Sequence, residues 1–109
     1  MRRAKVLYKN EHAGTLSQLD DGSFEFAYLD VWVLNPAKPA VSLTLPKTME
    51  PYRSSYLFPF FFNMLPEGSN KQTVCYHLRI DQDDDFGILM ATSKTDTIGA
   101  VSVVKENEA

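Results

Sequence analysis

The sequence predicts an α+β domain: a small antiparallel β-sheet, made by an N-terminal meander and a C-terminal strand, packed against two or three helices. Three observations predict it. Apolar and polar residues alternate with period two through the first third, the apolar spacing changes to four near Ser54, and the last apolar run, "TIGAVSVV", is β-branched. The chain has 109 residues, 44% hydrophobic and 12% aromatic against 23% charged. That composition suits one compact domain with a single core and not a disordered chain. The expected domain spans residues 1–105, with 106–109 as a polar tail.

The segments "AKVLYK", "GTLSQL" and "SFEFAYL" read as strands, separated by turns in which Asn10, Asp21 and Gly22 supply the chemistry. Phe24, Phe26 and Tyr28 recur at every second position and so share one face, a core face, while Glu25 and Ala27 point away. Pro36, Pro39 and Pro46 forbid a helix through "NPAKPAVSLTLP" and leave "AVSLTL" as an extended piece at or beside a sheet edge. From Ser54, the rows Tyr56, Phe60, Met64 and Leu57, Phe61, Leu65 repeat every fourth residue, which predicts a helix; Pro59 fits only its first turn. Pro66 and Gly68 end that helix. Ser69 or Asn70 then caps a second one through "KQTVCYHLRI", with Val74, Leu78 and Cys75 as its buried stripe. Asp83 or Asp84 caps a short helix "DFGILMAT", whose preceding carboxylates suit the positive end of the helix dipole.

Charge and motif content exclude several classes of function. Fourteen acidic residues against eleven basic give a net charge of -3, which offers no electrostatic footprint for direct nucleic-acid binding. One cysteine, Cys75, cannot form an internal disulfide, and "MRRAKVLYKN" lacks the apolar core of a signal peptide, so the cytoplasm is the expected compartment. The longest apolar stretch, "YLFPFFFNMLP", is too short and too interrupted for a membrane span. Asp85, Phe86 and Gly87 spell a kinase metal motif, yet no Gly-rich loop and no catalytic loop accompany them, and the chain is far shorter than a two-lobed kinase. Asp81, Asp83 and Asp85 match the first ligands of a calcium loop, but Phe86 stands where the turn needs Gly, and Thr92 stands where Glu belongs. Cys75 and His77 lie two apart and point to different sides of a helix, and the other histidine, His12, falls in a predicted hairpin turn. No catalytic residue, metal site or cofactor site is expected.

The remaining feature is "SSYLFPFFFNMLPEG". Tyr56, Phe58, Phe60, Phe61, Phe62, Met64 and Leu65 surround a helix that can bury only part of its circumference in so small a domain. Either all of them are core, or some form an aromatic docking patch of the kind that anchors protein interfaces.

The same stretch belongs to a longer pattern. Phe61, Asn63, Leu65, Pro66, Glu67 and Gly68 form an "FFxNxLPEG" signature, Asp96, Gly99, Ala100 and Val101 form a terminal "DxxGAV", and "AGTLSQLDDGSFEFAYLDVW" and "AVSLTLP" precede them in order. Over nearly its whole length the chain resembles the N-terminal subdomain of HipA-type Ser/Thr kinase toxins. The resemblance implies a module that precedes and packs on a kinase core, touches a helix-turn-helix DNA-binding antitoxin, and holds none of the catalytic or ATP-binding residues. It also implies a bacterial toxin-antitoxin setting, since split systems of this family pair a separate small protein of this kind with a shortened kinase. The small protein can there be the antitoxin. The expected function is therefore a non-catalytic antitoxin that binds and inhibits a HipA-like kinase; the alternative is a structural subdomain needed for kinase folding or assembly. Phe58, Phe60, Phe61 and Phe62, rimmed by Asn63 and Glu67, are the candidate partner-binding residues, docking near the kinase nucleotide lobe to hinder its closure.

Overall fold

A computed structural model describes residues 1–93 and 100–106. Three strands open the chain, β1 (Arg2–Tyr8), β2 (Glu11–Gln18) and β3 (Phe24–Tyr28). They form the expected antiparallel meander, with Ala4 opposite Leu16 and Leu16 opposite Phe26. Lys9 and Asn10 both have positive φ, 50° and 67°, the conformation of the two-residue hairpin turn that matches strand twist. The second turn is closed by Asp21, whose carboxylate accepts the Ser23 N–H at 2.9 Å and the Ser23 hydroxyl at 2.6 Å. β4 (Tyr52–Ser54) pairs with β3 and β5 (Val101–Lys105) pairs with β1, giving one five-stranded sheet in the order β4-β3-β2-β1-β5. The expected terminal strand began at Thr97; residues 97–99, with Asp96 of the terminal signature, lie outside the described residues, as do 107–109 of the polar tail.

Among the described residues four helices accompany the sheet: α1 (Asp30–Val33), α2 (Pro59–Phe62), α3 (Gly68–Leu78) and α4 (Asp85–Thr92). Ring contacts show which sheet face they cover. Trp32 of α1 meets Tyr8 at 6.0 Å between centroids, Phe61 of α2 meets Phe26 at 5.6 Å, and Phe86 of α4 stacks on Phe24 at 6.4 Å. Phe24, Phe26 and Tyr28 are buried as their alternation predicts, together with Ala4, Val6, Leu16, Ile88, Leu89 and Val103. Gly14 lets this core close: a β-carbon there would fall 2.7 Å from the Ala27 carbonyl and 2.9 Å from the Phe26 ring. The opposite sheet face carries the cross-strand row Arg3, Ser17, Glu25 and Arg53, with Arg53 Nε 3.1 Å from Glu25 Oε2. Antiparallel sheets commonly present such a face to water.

Three expectations are corrected. "AVSLTL" is a turn with a single bridge between Ser42 and Leu45, and the edge strand is Tyr52–Ser54 instead. Tyr28 sets this arrangement: its hydroxyl donates to the Leu45 carbonyl and accepts the Val41 N–H at 3.0 Å, which folds the segment back over the end of the core. The helix expected from Ser54 is a single turn, Pro59–Phe62. Phe58 precedes a proline and is held extended at φ -57°, ψ 139°, so no helix can run through it from Ser54. The second helix exists, but Glu67 is its N-cap residue, Ser69 and Asn70 lie inside it, and Cys75 is its only buried side chain. Val74 is half-buried and Leu78 is exposed. No helix among the described residues is long and apolar enough to cross a membrane.

A lysine fixes the proline-rich connection. The Lys47 ammonium donates to the carbonyls of Trp32, Asn35 and Lys38 at 3.3, 2.8 and 2.6 Å. A cation there satisfies carbonyls at and beyond the end of α1 that have no partner within it.

Candidate functional site

The aromatic stretch becomes a tight turn because Pro59 starts α2 and Asn63 ends it, the Asn63 N–H returning to the Pro59 carbonyl at 2.9 Å. Four successive rings and a proline on so short a turn must point in different directions. Phe61 is fully buried, with Phe60 at 5.2 Å and Phe58 at 6.4 Å between centroids. Phe58, Met64 and Leu65 are buried beside it, and Phe60 is half-buried against the core. Phe62 faces outward, 51% exposed.

The six candidate contact residues therefore separate into two groups. Phe58 and Phe61 are core residues that hold the turn in place. Phe62, Asn63 and Glu67 lie on the surface and Phe60 lies between the two groups. Tyr56, placed by its spacing in a partly buried helical row, is 81% exposed. The exposed Phe62 ring, followed along the chain by the exposed polar residues Asn63 and Glu67, has the composition of an interface core with its rim. The Phe62 ring sits on a rigid base, because both sides of its turn are anchored by buried neighbours.

The acidic stretch before α4 is committed to structure. Asp84 is the N-cap of α4, accepting the Gly87 N–H at 3.1 Å, and it forms a two-pronged pair with Arg2 at 2.6 and 3.0 Å. Arg2 also donates to the Gln18 side chain and lies over the Phe86 ring, 5.0 Å from its centroid. These bonds from Arg2, followed by the Gly87 N–H, hold the Asp84 carboxyl below its ordinary value, against the opposing effect of burial. Asp85 faces Lys71 of α3 at 3.5 Å, and Asp81 accepts the Asp83 N–H at 2.8 Å. Cys75 is buried, and His77 is exposed and set edge-on against Tyr76. Among the described residues no group of three His, Cys, Asp or Glu side chains could hold a metal ion.

Sequence reasoning foresaw a cap at Asp83 or Asp84 but not the Arg2 pairing, whose partners are 82 positions apart. The exposed Tyr76 and Leu78, 82% and 50% exposed, were also missed. They interrupt the apolar period that α3 was expected to bury.

Known proteins share this sequence pattern and fold. The family model described as the HipA N-terminal domain matches residues 4–104. An uncharacterized protein of Haemophilus influenzae is 33% identical over 110 residues, covering 99% of this chain and 96% of that protein. Y4mE of Sinorhizobium fredii, described as a kinase, is 28% identical over 108 residues; these are 99% of this chain and only 26% of Y4mE. Among solved structures, the N-terminal domain of HipA toxin superimposes with a TM-score of 0.71 at 30% identity, covering 100% of this chain and 96% of that one.

Proposed function

The chain belongs to the HipA N-terminal domain family, and on that premise we propose that it is a non-catalytic antitoxin subunit that binds a HipA-like Ser/Thr kinase and holds it inactive. The observation that carries this reading is the Phe62 ring, 51% exposed on a turn whose neighbours are locked into the core. A rigid aromatic residue with a polar rim is the anchor type that supplies most of the energy at protein interfaces. Phe62 and Tyr56 are the contacting rings in this proposal, Asn63 and Glu67 form the rim, and Phe58, Phe60 and Phe61 support the turn from beneath. A kinase turns over only when its lobes close on nucleotide and metal, so a wedge at the nucleotide lobe silences it without touching a catalytic group. The proposed setting is a bacterial toxin-antitoxin system in the cytoplasm, with a helix-turn-helix DNA-binding antitoxin as a further member of the complex.

A second reading has its own support. The matched region makes up 26% of Y4mE, so a similar module also occurs within a longer polypeptide; on this second reading the chain is a structural subdomain that supports kinase folding or assembly with a DNA-binding partner and does not itself inhibit. Co-expression with a HipA-like kinase encoded beside it separates the two readings. Restored growth supports the antitoxin, and persistent toxicity despite a co-purifying complex supports the structural subunit.

A further inference from the structure

Helix α3 has eleven residues, a length at which a helix is marginal in water and relies on tertiary packing. Little of that packing is present. Cys75 is its only buried side chain, Lys71 and Val74 are half-buried, and Gln72, Thr73, Tyr76, His77 and Leu78 face solvent. The usual devices at its N-terminus are missing as well. No side chain caps its first N–H groups, and no acidic residue lies in its first turn. The Thr73 hydroxyl bonds back to the Ser69 carbonyl at 2.9 Å, a contact that weakens helices. Both ends lie in the left-handed region, Gly68 at φ 57° and Arg79 at φ 57°; Arg79 stands where such a terminus normally has glycine. What holds α3 is Cys75, the half-buried Ile80 with its N–H on the Cys75 carbonyl at 3.0 Å, and the Lys71–Asp85 pair.

We infer that α3 is a local folding unit, hinged at Gly68 and Arg79, that opens while the sheet stays folded, and that a protein seated on the preceding turn closes it. The second half rests on the proposed function, because α3 begins directly after Asn63–Glu67. The first half rests only on burial and backbone geometry. Opening of α3 withdraws Cys75 from the core, whereas the strands keep Val6, Leu16, Phe26 and Val103 fully buried. The helix is then the part of the domain whose order depends on the partner.

The chain supplies both reporters for the test, a single cysteine in α3 and a single tryptophan, Trp32, in the sheet-packed core. Labelling of Cys75 with a thiol-reactive disulfide would be followed in urea beside Trp32 fluorescence, using the full chain. The expected result is labelling in buffer on the order of a hundredfold faster than global unfolding permits, with little urea dependence below the transition. Arg79→Gly removes the left-handed side-chain penalty and should slow labelling by about fivefold. Labelling that follows Trp32 unfolding in rate and urea dependence, or that Arg79→Gly leaves unchanged, would overturn the inference. Saturating kinase should slow labelling further. A kinase shown to bind that leaves the labelling rate unchanged would remove the link to docking while the opening itself stands, and absence of any binding would count against the proposed function alone.

Discussion

Replacing Phe62 by alanine separates a docking surface from a core. The ring is 51% exposed, so of the roughly 200 Å² that a phenylalanine can bury, about 100 Å² remains for a partner to cover. At about 25 cal/mol per Å² this is about 2.5 kcal/mol, or a 50-fold to 100-fold rise in Kd at about 1.4 kcal/mol per decade. The cost to the fold should be smaller, about 1 kcal/mol, because a half-exposed ring leaves no enclosed cavity; the Tm should fall by about 5 °C. Phe61→Ala is the contrasting variant. Its ring is fully buried, so truncation should cost about 3–5 kcal/mol and unfold much of a small domain. Calorimetric titration against the kinase, paired with thermal denaturation by circular dichroism, reads both quantities. A folded Phe62→Ala variant that binds with unchanged affinity and still rescues growth would refute the reasoning and place the binding surface elsewhere.

Three structural predictions accompany it. Asp84→Ala removes a helix cap and the Arg2 pair and should cost about 1–2 kcal/mol near neutral pH. Because the folded carboxyl lies below its ordinary value of 3.8, its contribution is fully present above that pH and is lost as pH falls through the folded value. The wild-type advantage in urea titrations should therefore shrink as pH falls below about 4; an advantage that grows as pH falls would contradict the pairing. Lys47→Met removes the shared donor of three carbonyls and should lower stability by about 1–3 kcal/mol in thermal melts, with no effect expected if the ammonium is merely solvated. Tyr28→Phe leaves the buried Val41 N–H and Leu45 carbonyl without the hydroxyl, a loss of about 1–3 kcal/mol that chemical denaturation would measure.

How legible each element was depended on how local its cause is. The meander was readable because Phe24, Phe26 and Tyr28 alternate along one strand and a sheet face needs only that period. The helix at Asp85–Thr92 was readable because Asp84 caps it from the adjacent position. The helix expected from Ser54 failed because fourfold spacing of rings also arises in a turn, and the constraint on the residue before Pro59 outweighed the period. Tyr52–Ser54 escaped because three residues form too short a period to detect, and it becomes a strand only against β3. Lys47 and Arg2 were invisible for the same reason: the carbonyls and carboxylate they bind are assembled by the fold. At the candidate site the aromatic surplus was legible, but which ring faces outward was fixed by the turn geometry that Pro59 imposes.

The most direct test is a phosphoryl-transfer assay on the purified partner kinase, titrated with the folded chain while complex formation is followed in the same samples. Antitoxin action predicts that kinase activity falls in proportion to the complex and approaches zero at saturation, and that Phe62→Ala shifts the curve to 50-fold to 100-fold higher concentration. Kinase activity that is unchanged or increased in the saturated complex would contradict inhibition and leave the domain as a structural subunit.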